Sequence, residues 1–430
     1  MQRVQKLLGS LAAVVAMAVP AAMAEPVKVE IRGEPGSYQL YRGGEPYFIR
    51  GAGLDVGDID SLARYGGNSV RTWHVGDGEI LDRAHELGLT VTLCLNVMRE
   101  RHGFDYDDEE AVAQQLAEMR EKVMRFRDHP ALLTWMIGNE LNFDYQNPRV
   151  YDAVGDIAKM IKELDPNHPV TTATAGIGAD VLKDIRERAP QVDFISVQVY
   201  GMLFDLPEVI DELDIRMPIM VTEWGTIGHW EVDKTSWGAP LEMSSMEKAA
   251  TYKKGWNDIL SQLEGKVIGS YVFLWGQKQE RTPTWYGVFA PNGGPTETVD
   301  VMQRVWTGDW PANRAPQLKS LELDGKQGQD GVQLVSGQRY DARTRVRDPD
   351  DDDLTYRWVL LAESEATQVG GDKEEVPEDL SRYLASNNEP AIELTAPGTE
   401  GAYRLFIYAS DALGATAHAN IPFYVTSDVQ

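Results

Sequence analysis

The stretch "ALLTWMIGNELN" (131–142) decides the fold prediction. It is largely apolar from Ala131 to Gly138 and then ends abruptly in Asn139 and Glu140. A strand that is apolar throughout, rather than alternating, is typical of a parallel sheet covered by helices. A carboxylate at the rim of such a core is unfavourable unless it is paired, hydrated or used. The role of Glu140 therefore depends on what the other strands end with.

Further apolar runs of the same kind alternate with amphipathic helical patterns between Tyr47 and Trp306. The candidate strands are 47–53, 68–73, 89–96, 131–140, 169–176, 192–200, 218–225 and 267–276. Eight such β/α units in roughly 260 residues match a (β/α)8 TIM barrel of the α/β class. A doubly wound open sheet is the alternative, but "GAGLDVGD" (51–58) lacks the third glycine of its phosphate-binding turn.

The pattern changes near "WPANRAPQ" (310–317), where Pro, Asn and Arg indicate a linker. Short alternating runs follow and predict an antiparallel β-sandwich of immunoglobulin or cadherin type. The predicted domains are a signal peptide (1–24), the barrel (25–309), the linker (310–317) and the sandwich (318–430). The charged segment 363–390 is predicted to be an exposed insertion.

Two features of the predicted sandwich leave alternatives open. The acidic stretch "DPDDDD" (348–353) has the ligands that calcium prefers, but an acidic turn before the next strand is the interpretation we favour. The domain itself either binds glycan or acts as a spacer. We favour the spacer because Trp358 lies in an apolar strand, where it is expected in the core.

The N-terminus has the pattern of a secretory signal peptide. Arg3 and Lys6 precede an apolar segment (7–19), and the small residues around Met23 predict cleavage after Ala24. A membrane anchor is the alternative, but the apolar segment is too short to span a bilayer comfortably. No later segment is predicted to cross a membrane. We therefore expect a secreted or periplasmic protein.

Composition limits the classes of partner. The chain has 41 Lys and Arg against 67 Asp and Glu, a net charge of −26, and loss of Arg3 and Lys6 would make it −28. Such acidity argues against nucleic acid or an anionic membrane and favours a neutral substrate. Cys94 is the single cysteine, so no internal disulfide forms, and it is predicted to be buried. The sequence does not indicate an oligomeric state.

The carboxyl ends of the strands assemble the active site of a barrel of this kind. The residues at or just after those ends are Arg71, Trp73, His74, Asn96, Asn139, Glu140, Gln198, Tyr200, Glu223, Trp224 and Trp275, with Trp285 in the final loop. The set lacks the His and Asp cluster of a metal hydrolase, a Gly-x-Ser-x-Gly turn and a Schiff-base lysine. We predict neither a catalytic metal nor a cofactor.

Two glutamates at one barrel mouth suit the cleavage of a glycosidic bond, which needs an acid and a nucleophile or base. Glu140 follows an apolar run that should raise its proton affinity, and this suits an acid. Glu223 can be kept ionised by Arg71 and Tyr200, and this suits a nucleophile. Arg71 and Tyr200 are also candidate substrate contacts, together with the other strand-end residues: Trp224, Trp275 and Trp285 as apolar platforms, Asn139 as a partner for a sugar hydroxyl, and Trp73, His74, Asn96 and Gln198.

Two loops are also candidates for substrate contact. The loop after the seventh strand (226–245) carries Trp230 and Trp237, which either face the substrate or pack within the loop. "WGQKQERTPTWYG" (275–287), after the eighth strand, is unusually polar and aromatic for a connector. We predict that this second loop contacts substrate.

The motifs "IGNE" (137–140) and "TEWG" (222–225) resemble the retaining clan A glycoside hydrolases, whose acid/base and nucleophile occupy these two positions. The resemblance covers about residues 40–308. It looks closest to the family 2 TIM-barrel domain and is also similar to family 5 and to β-1,3-glucan-active barrels. It assigns Glu140 and Glu223 the two catalytic roles, and Asn139, Arg71, Tyr200 and Trp275 match further positions of the clan.

The resemblance implies net retention through a glycosyl-enzyme intermediate, with the two carboxyl groups about 5–5.5 Å apart. Gln198 stands where several of these families place a histidine, so the sugar specificity is not carried over. The expected function is hydrolysis of a neutral poly- or oligosaccharide, with a β-glucan favoured. The alternatives are a β-glucan transglycosylase of the same mechanism and a non-catalytic carbohydrate-binding envelope protein.

Overall fold

The computed structural model describes residues 26–54, 58–368 and 370–427. The predicted signal peptide (1–24) lies outside these ranges. Within them, every helix is too short or too polar to cross a membrane. Three structural units follow one another along the chain: a small N-terminal sheet, a closed barrel and a pair of C-terminal sheets.

The N-terminal sheet is antiparallel and was not predicted from the sequence. Its strands are β1 (Val29–Arg32), β2 (Gln39–Arg42) and β3 (Glu45–Pro46). Val29 and Leu40 pack against buried side chains of the barrel strands, among them Ile49 and Tyr271. The sheet therefore contributes to a separate apolar cluster with the barrel strands. Strands of two to four residues are too short to show a recognisable alternation.

Eight parallel strands form the closed barrel, as the sequence predicted. They are β4 (Ile49–Gly53), β5 (Ser69–Arg71), β6 (Thr90–Leu95), β7 (Leu132–Asn139), β8 (Val170–Ala175), β9 (Phe194–Gln198), β10 (Ile219–Trp224) and β11 (Val267–Val272). They pair in chain order, and β11 closes the barrel against β4. Every predicted strand overlaps one observed strand. The carboxyl ends that were read from the sequence therefore meet at one rim.

Helices cover the outside of the barrel. They are α1 (Ile59–Arg64), α2 (Glu79–Glu86), α3 (Glu109–Phe126), α4 (Arg149–Leu164), α5 (Ala179–Arg188), α6 (Leu206–Glu212), α7 (Ser245–Lys254) and α8 (Glu297–Thr307). Short 3-10 helices occupy Glu100–His102, Gly201–Asp205, Leu260–Gln262, Gly328–Asp330 and Ser381–Tyr383, and a π-helical turn (Gly255–Ile259) extends α7. Local sequence fixes their starts: the Asp108 side chain accepts hydrogen bonds from two backbone N–H groups at the start of α3. Ser244 and Glu247 form a capping box at α7.

The C-terminal region contains two sheets that share one apolar core. Their strands are β12 (Gln317–Leu323), β13 (Gln333–Val335), β14 (Arg339–Arg347), β15 (Thr355–Ala362), β16 (Ala391–Thr395), β17 (Gly401–Ser410) and β18 (Thr416–Thr426). The sheet orders are β12-β14-β16 and β13-β18-β17-β15, and Leu318, Trp358 and Leu405 lie in the common core. The prediction of a wholly antiparallel arrangement is wrong for one pair, because β13 runs parallel to β18. The strand β12 begins at Gln317, the last residue of the predicted linker.

A buried polar network joins the barrel to the C-terminal sheets. The Glu242 carboxylate, whose side chain is 0% exposed, accepts hydrogen bonds from Lys248, Thr282, Thr284 and, across the seam, Asn420. Arg404 of β17 donates to the backbone oxygen of Pro240 at 2.9 Å. Charged groups that are fully removed from water need such complete pairing. The network therefore fixes the two units against each other.

Glu242 gives the first prediction. Burial by itself raises its pKa, but the charge of Lys248 and the hydrogen bonds from Lys248 and Thr282 outweigh burial and bring the pKa down to about 2. Glu242→Ala leaves the Lys248 ammonium buried without its partner, so we expect the free energy of unfolding to fall by about 3–5 kcal/mol. Urea unfolding at pH 7 measures the change. The matched control is Asp211→Ala, which removes an exposed pair with Lys266 and should cost less than about 1 kcal/mol.

The same pair sets a pH dependence. Since the folded-state pKa of Glu242 lies below its ordinary value of 4.5, its stabilising effect is present above that value. It is lost as the pH falls from about 4.5 towards 2. The stability difference between wild type and Glu242→Ala should therefore shrink over this range. A difference that stays constant down to pH 2.5 would contradict the assignment.

Candidate active site

Both strands that carry the candidate glutamates are irregular just before the carboxylate. The register of β7 against β8 shifts between Met136 and Asn139. The register of β10 against β9 shifts between Val221 and Glu223. Bulges of this kind redirect a side chain and are common beside active sites. Here they lie where the two strands deliver their glutamates to the rim.

The turn after β7 adds a second irregularity. Gly138 and Glu140 have φ angles of +71° and +52°, in the left-handed region. A Cβ atom at Gly138 would lie 2.6 Å from Cδ1 of Leu141, so glycine is required there. The backbone of Glu140 has a conformation that residues with a side chain seldom adopt. Its backbone N–H donates to the Ala173 oxygen at 2.9 Å, which ties the turn to β8.

Three donors hold the Glu223 carboxylate. Arg71 donates to Oε1 at 2.6 Å, and the indole N–H of Trp73 donates to the same oxygen at 3.0 Å. The Tyr200 hydroxyl donates to Oε2 at 3.0 Å. Arg71 is 0% exposed and Glu223 is 5% exposed, so this is a buried, charge-assisted arrangement. The three donors fix the orientation of the Glu223 carboxylate.

A second set of contacts positions Asn139. Its side-chain oxygen accepts hydrogen bonds from Arg71 and, at 2.6 Å, from Gln198. Arg71 therefore links the asparagine of β7 to the glutamate of β10. The guanidinium of Arg99 donates to the Asn139 backbone oxygen at 3.0 Å. The orientation of Asn139 leaves its amide NH2 group as the donor for a ligand.

Glu140 has the opposite environment. Burial and then the negative charge of Glu223 raise its pKa to about 7, against the opposing positive charges of Arg99, Arg71 and Arg101. A carboxyl group with this pKa carries a proton at neutral pH for a large fraction of the time. The Glu223 carboxyl group accepts hydrogen bonds from three donors, whereas the Glu140 carboxyl group is disposed to hold a proton. Two carboxyl groups separated in this way divide the roles of nucleophile and acid.

One cavity of about 430 Å3 contains both carboxyl groups. Its lining residues are Trp73, His74, Arg99, Asn139, Glu140, Tyr200, Glu223, Trp230, Phe273, Leu274, Gln277, Lys278, Glu280, Gly370 and Gly371. This volume lies in the range of ligand pockets. Trp230 is 56% exposed and extends the aromatic wall formed by Tyr200, whose ring centroid lies 5.7 Å away.

The structure brings half of the predicted site residues to this cavity. Trp73, His74, Asn139, Glu140, Tyr200 and Glu223 line it. Arg71 and Gln198 lie behind the lining and act through Glu223 and Asn139. The predicted loop after the eighth strand contributes Gln277, Lys278 and Glu280. Trp237, in the other predicted loop, instead lies 5.9 Å from the ring of Tyr424 in β18.

Four predicted substrate contacts lie elsewhere, and this corrects the prediction. Trp275 is fully buried, stacks on Trp306 and donates to the Ser61 hydroxyl at 2.8 Å. Trp224 is also fully buried, against Tyr252. The remaining two are Trp285, whose indole N–H donates to the Ile227 oxygen at 3.0 Å, and Asn96, which accepts from Lys122 at the surface. The three tryptophans are packing residues. Trp224 and Trp275 lie in the main core, where the barrel strands meet the helix layer, and Trp285 packs with Phe273 and Tyr286.

Several lining residues were missed by the sequence prediction. Phe273 and Leu274 follow β11 directly, and the peptide bond between them is cis. Because β11 ends at Val272, four residues before the predicted end, these two side chains and not Trp275 reach the cavity. Arg99 follows β6 and carried no distinguishing sequence signal. Gly370 and Gly371 come from the C-terminal region, where a sequence pattern cannot show proximity to the barrel.

The acidic stretch 348–353 forms a turn. Oδ1 of Asp348 accepts hydrogen bonds from the backbone N–H groups of Asp350 and Asp352. Carboxylate oxygens of Asp348, Asp352 and Asp411 all lie within 4.8 Å of one another. The favoured interpretation, an acidic turn, describes the hydrogen bonding. The calcium alternative stays an untested prediction.

Comparison with known proteins agrees with the site of a glycoside hydrolase. The family described as "Glycosyl hydrolases family 2, TIM barrel domain" matches residues 50–226. The resemblance to clan A glycoside hydrolases is therefore confirmed, with the family 2 barrel as the matched domain. Beta-glucuronidase of Rattus norvegicus is 23% identical over 312 residues, which cover 65% of this chain and 45% of the relative. Mannan endo-1,4-beta-mannosidase F of Aspergillus clavatus is 36% identical over 80 residues, 18% of each chain.

The fold has solved counterparts as well. Bacteroides uniformis beta-glucuronidase 2 matches with a TM-score of 0.53 and 14% identity, over 93% of this chain and 48% of that chain. At 14% identity the match shows a similar fold and nothing further. The chain spans about half the length of the glucuronidase relatives that it matches. What those whole proteins do is therefore not transferred with the fold.

Proposed function

We propose that the protein is a retaining β-glycosidase that cleaves O-glycosidic bonds by double displacement. The observation that carries the proposal is the pair of carboxyl groups in one cavity with opposite environments. Glu223 accepts hydrogen bonds from three donors, and burial together with the charge of Glu223 raises the pKa of Glu140 to about 7. The two steps of a retaining mechanism require this division of roles.

In the first step, Glu140 donates its proton to the glycosidic oxygen while Oε2 or Oε1 of Glu223 attacks the anomeric carbon. The bond from the anomeric carbon to the leaving oxygen breaks, and an ester to Glu223 forms. Arg71, Trp73 and Tyr200 position the attacking carboxylate. Neutralisation of Glu223 in the ester removes the charge that raises the pKa of Glu140, so Glu140 becomes the better proton donor during this step.

In the second step, Glu140 acts as a base. It takes a proton from a water molecule, whose oxygen attacks the anomeric carbon and releases Glu223. Two inversions give net retention. If a sugar hydroxyl replaces the water, the same residues perform transglycosylation, and the product is longer than the donor.

We propose a neutral substrate, with a β-glucan favoured. Among the described residues of the cavity, Arg99 and Lys278 carry the positive charges. Arg99 donates to the Asn139 backbone and faces Glu140, and Lys278 pairs with Glu280 at 2.8 Å. A sugar carboxylate would have to compete with these partners. The named relatives include a beta-glucuronidase and a beta-mannosidase, so the test must include both kinds of sugar.

The test is a matched panel of aryl β-glucoside, β-mannoside and β-glucuronide, together with β-glucan oligosaccharides whose product lengths are followed. We expect the neutral sugars to be turned over and the oligosaccharides to be shortened. Turnover of the glucuronide alone would overturn the neutral substrate but not the mechanism. Longer products would identify transfer. Binding of oligosaccharides without turnover of any substrate would identify a carbohydrate-binding protein instead.

We also propose that the protein is exported, on the basis of the N-terminal sequence pattern. The mature protein from a periplasmic or extracellular fraction should begin at Glu25, as measured by its intact mass. A mass that includes residues 1–24 would contradict the cleavage.

The two C-terminal sheets support a further proposal, an immunoglobulin- or cadherin-like sandwich, because they enclose one core.

A further inference from the structure

The wall of the cavity is not made by the barrel alone. Gly370 and Gly371 line it together with Lys278 and Glu280 of the loop that follows β11. The two glycines belong to the connection between β15 and β16, in the C-terminal sheets. The sequence predicted this connection to be an exposed insertion. Its residues 370–374, named here the wall segment, instead contact the barrel.

One anchor of the wall segment is a pair of parallel hydrogen bonds from the loop after β6. The Arg101 guanidinium donates to both carboxylate oxygens of Asp372, at 2.8 and 3.0 Å. The Arg101 side chain is 9% exposed, so the pair is shielded from solvent on one side. The hydrogen bonds and charge of Arg101 hold the pKa of Asp372 below its usual range. Bidentate pairs of this type fix geometry as well as contributing energy.

A second anchor comes from the loop after β11. The Lys278 ammonium donates to the Gly371 backbone oxygen at 2.8 Å. The backbone N–H of Arg281 donates to Oε2 of Glu374 at 2.7 Å, and Glu374 is buried. The wall segment is therefore tied to the loops after the third and eighth strands of the barrel. Its placement does not depend on a single contact.

The glycines allow the backbone to come this close. Gly370 and Gly371 have φ angles of +61° and +75°. A Cβ atom at Gly370 would lie 3.2 Å from Nη2 of Arg101, and one at Gly371 would lie 3.1 Å from Nζ of Lys278. Both the backbone conformation and the space therefore favour glycine.

We infer that the wall segment closes one side of the substrate cleft and determines specificity, so that the protein acts on the ends of β-linked chains or on short oligosaccharides. This inference rests on the proposed glycosidase function. The buried seam around Glu242 and Arg404 holds the C-terminal sheets against the barrel, so the segment is fixed from both sides. A polymer lying across the cavity would collide with the peptide groups at 370 and 371. The C-terminal domain thereby has a part in substrate selection beyond that of a spacer.

The test is a comparison of the full chain with Asp372→Ala, in which Arg101 loses its partner. We expect KM for a β-glucan oligosaccharide to rise about tenfold while kcat changes less than twofold, because the hydrogen bonds of Glu223 with Arg71, Trp73 and Tyr200 are unchanged. Asp372→Asn keeps an acceptor for Arg101 and should lie between the two. Glu375→Ala is the matched control, since the Glu375 side chain is 91% exposed just outside the wall segment and should leave both constants unchanged.

A second variant replaces residues 366–375 with Gly-Ser-Gly and follows the viscosity of a soluble β-glucan against the release of short sugars. Wild type should release short sugars with little loss of viscosity, and the variant should lower viscosity early by internal cleavage. Unchanged KM in Asp372→Ala together with an unchanged product pattern in this variant would overturn the inference. Titration of Trp fluorescence with the oligosaccharide gives the same comparison without turnover. A wild type that binds but never cleaves would then refute the glycosidase function separately.

Discussion

Glu223→Gln should abolish glycoside turnover, with kcat reduced by a factor on the order of 10⁵ or more. The amide is nearly the same size as the carboxylate but cannot form the ester to the anomeric carbon. It also loses the charge that Arg71, Trp73 and Tyr200 stabilise. The measurement is the rate of aryl β-glycoside hydrolysis on the best substrate of the panel. Thermal unfolding of the variant shows whether the loss comes from chemistry or from folding.

A matched control and a rescue make this prediction specific. Glu212→Gln changes an exposed glutamate on α6 and should leave the rate within about twofold. In Glu223→Ala, azide can enter the vacated space and attack the anomeric carbon of an activated aryl β-glycoside. The new C–N bond replaces the bond to the aryl oxygen, the phenolate leaves, and an α-glycosyl azide results. Glu223→Gln turnover above about 1% of wild type on any substrate would contradict the nucleophile assignment.

The barrel could be predicted because its signal is local. A buried parallel strand is apolar over its whole length, and each of the eight predicted runs overlaps an observed strand. The polar ends of these runs then had to meet at one rim, since the strands are parallel. Glu140, Glu223 and Asn139 were identified in this way. What the strand pattern does not contain is the exact point at which a strand ends.

This limit explains the misplaced tryptophan. The apolar run 267–276 suggested that Trp275 closes the eighth strand, whereas β11 ends at Val272 and Trp275 packs on Trp306 beneath the rim. A difference of a few residues is enough to exchange a platform for a core residue. Register shifts in β7 and β10 have no sequence signature of their own. They are consequences of packing between neighbouring strands.

Contributions from distant parts of the chain were also beyond the sequence. Gly370 and Gly371 lie more than 80 residues after Lys278 in the chain, and the packing of the C-terminal sheets against the barrel brings them together. The charged residues of the segment 363–390 suggested an exposed insertion. The sequence does not show that Asp372 pairs with Arg101, which lies far away in the chain. Lys373 and Glu375, in the same connection between β15 and β16, are exposed, so the prediction from composition holds for part of that connection.

Glu140 provides the second large effect. Glu140→Gln removes the proton donor, so kcat should fall by about 10²–10⁴-fold for a natural glycoside whose leaving group needs protonation. For an aryl glycoside with a very acidic phenol, bond cleavage does not need the donor, and the first step should be nearly unaffected. The measurement is the contrast in kcat/KM between the two substrates, because kcat/KM reports the first step and not the later hydrolysis in which Glu140 acts as the base. Equal losses on both would show that Glu140 acts in another way.

The pH profile tests the same group in the intact protein. Burial and the charge of Glu223 raise the pKa of Glu140 to about 7, and the acid acts only when protonated. Activity expressed as kcat/KM should therefore be present below pH 7 and fall about tenfold per pH unit above it. Glu140→Gln should lack this alkaline decline. A wild-type decline centred near pH 5 would mean that another group carries the proton.

Removal of the positive charge of Arg99 tests the direction in which the pKa of Glu140 responds to its neighbours. Arg99 is a positive charge that lowers the pKa of Glu140 against the effect of burial. Arg99→Met should therefore move the alkaline decline to higher pH, since loss of the cation favours the protonated acid. Lys162→Met, a change at an exposed pair on α4 outside the cavity, should leave the decline where it is. A shift to lower pH in Arg99→Met would contradict the electrostatic origin of the raised pKa, and with it the assignment of Glu140 as the proton donor.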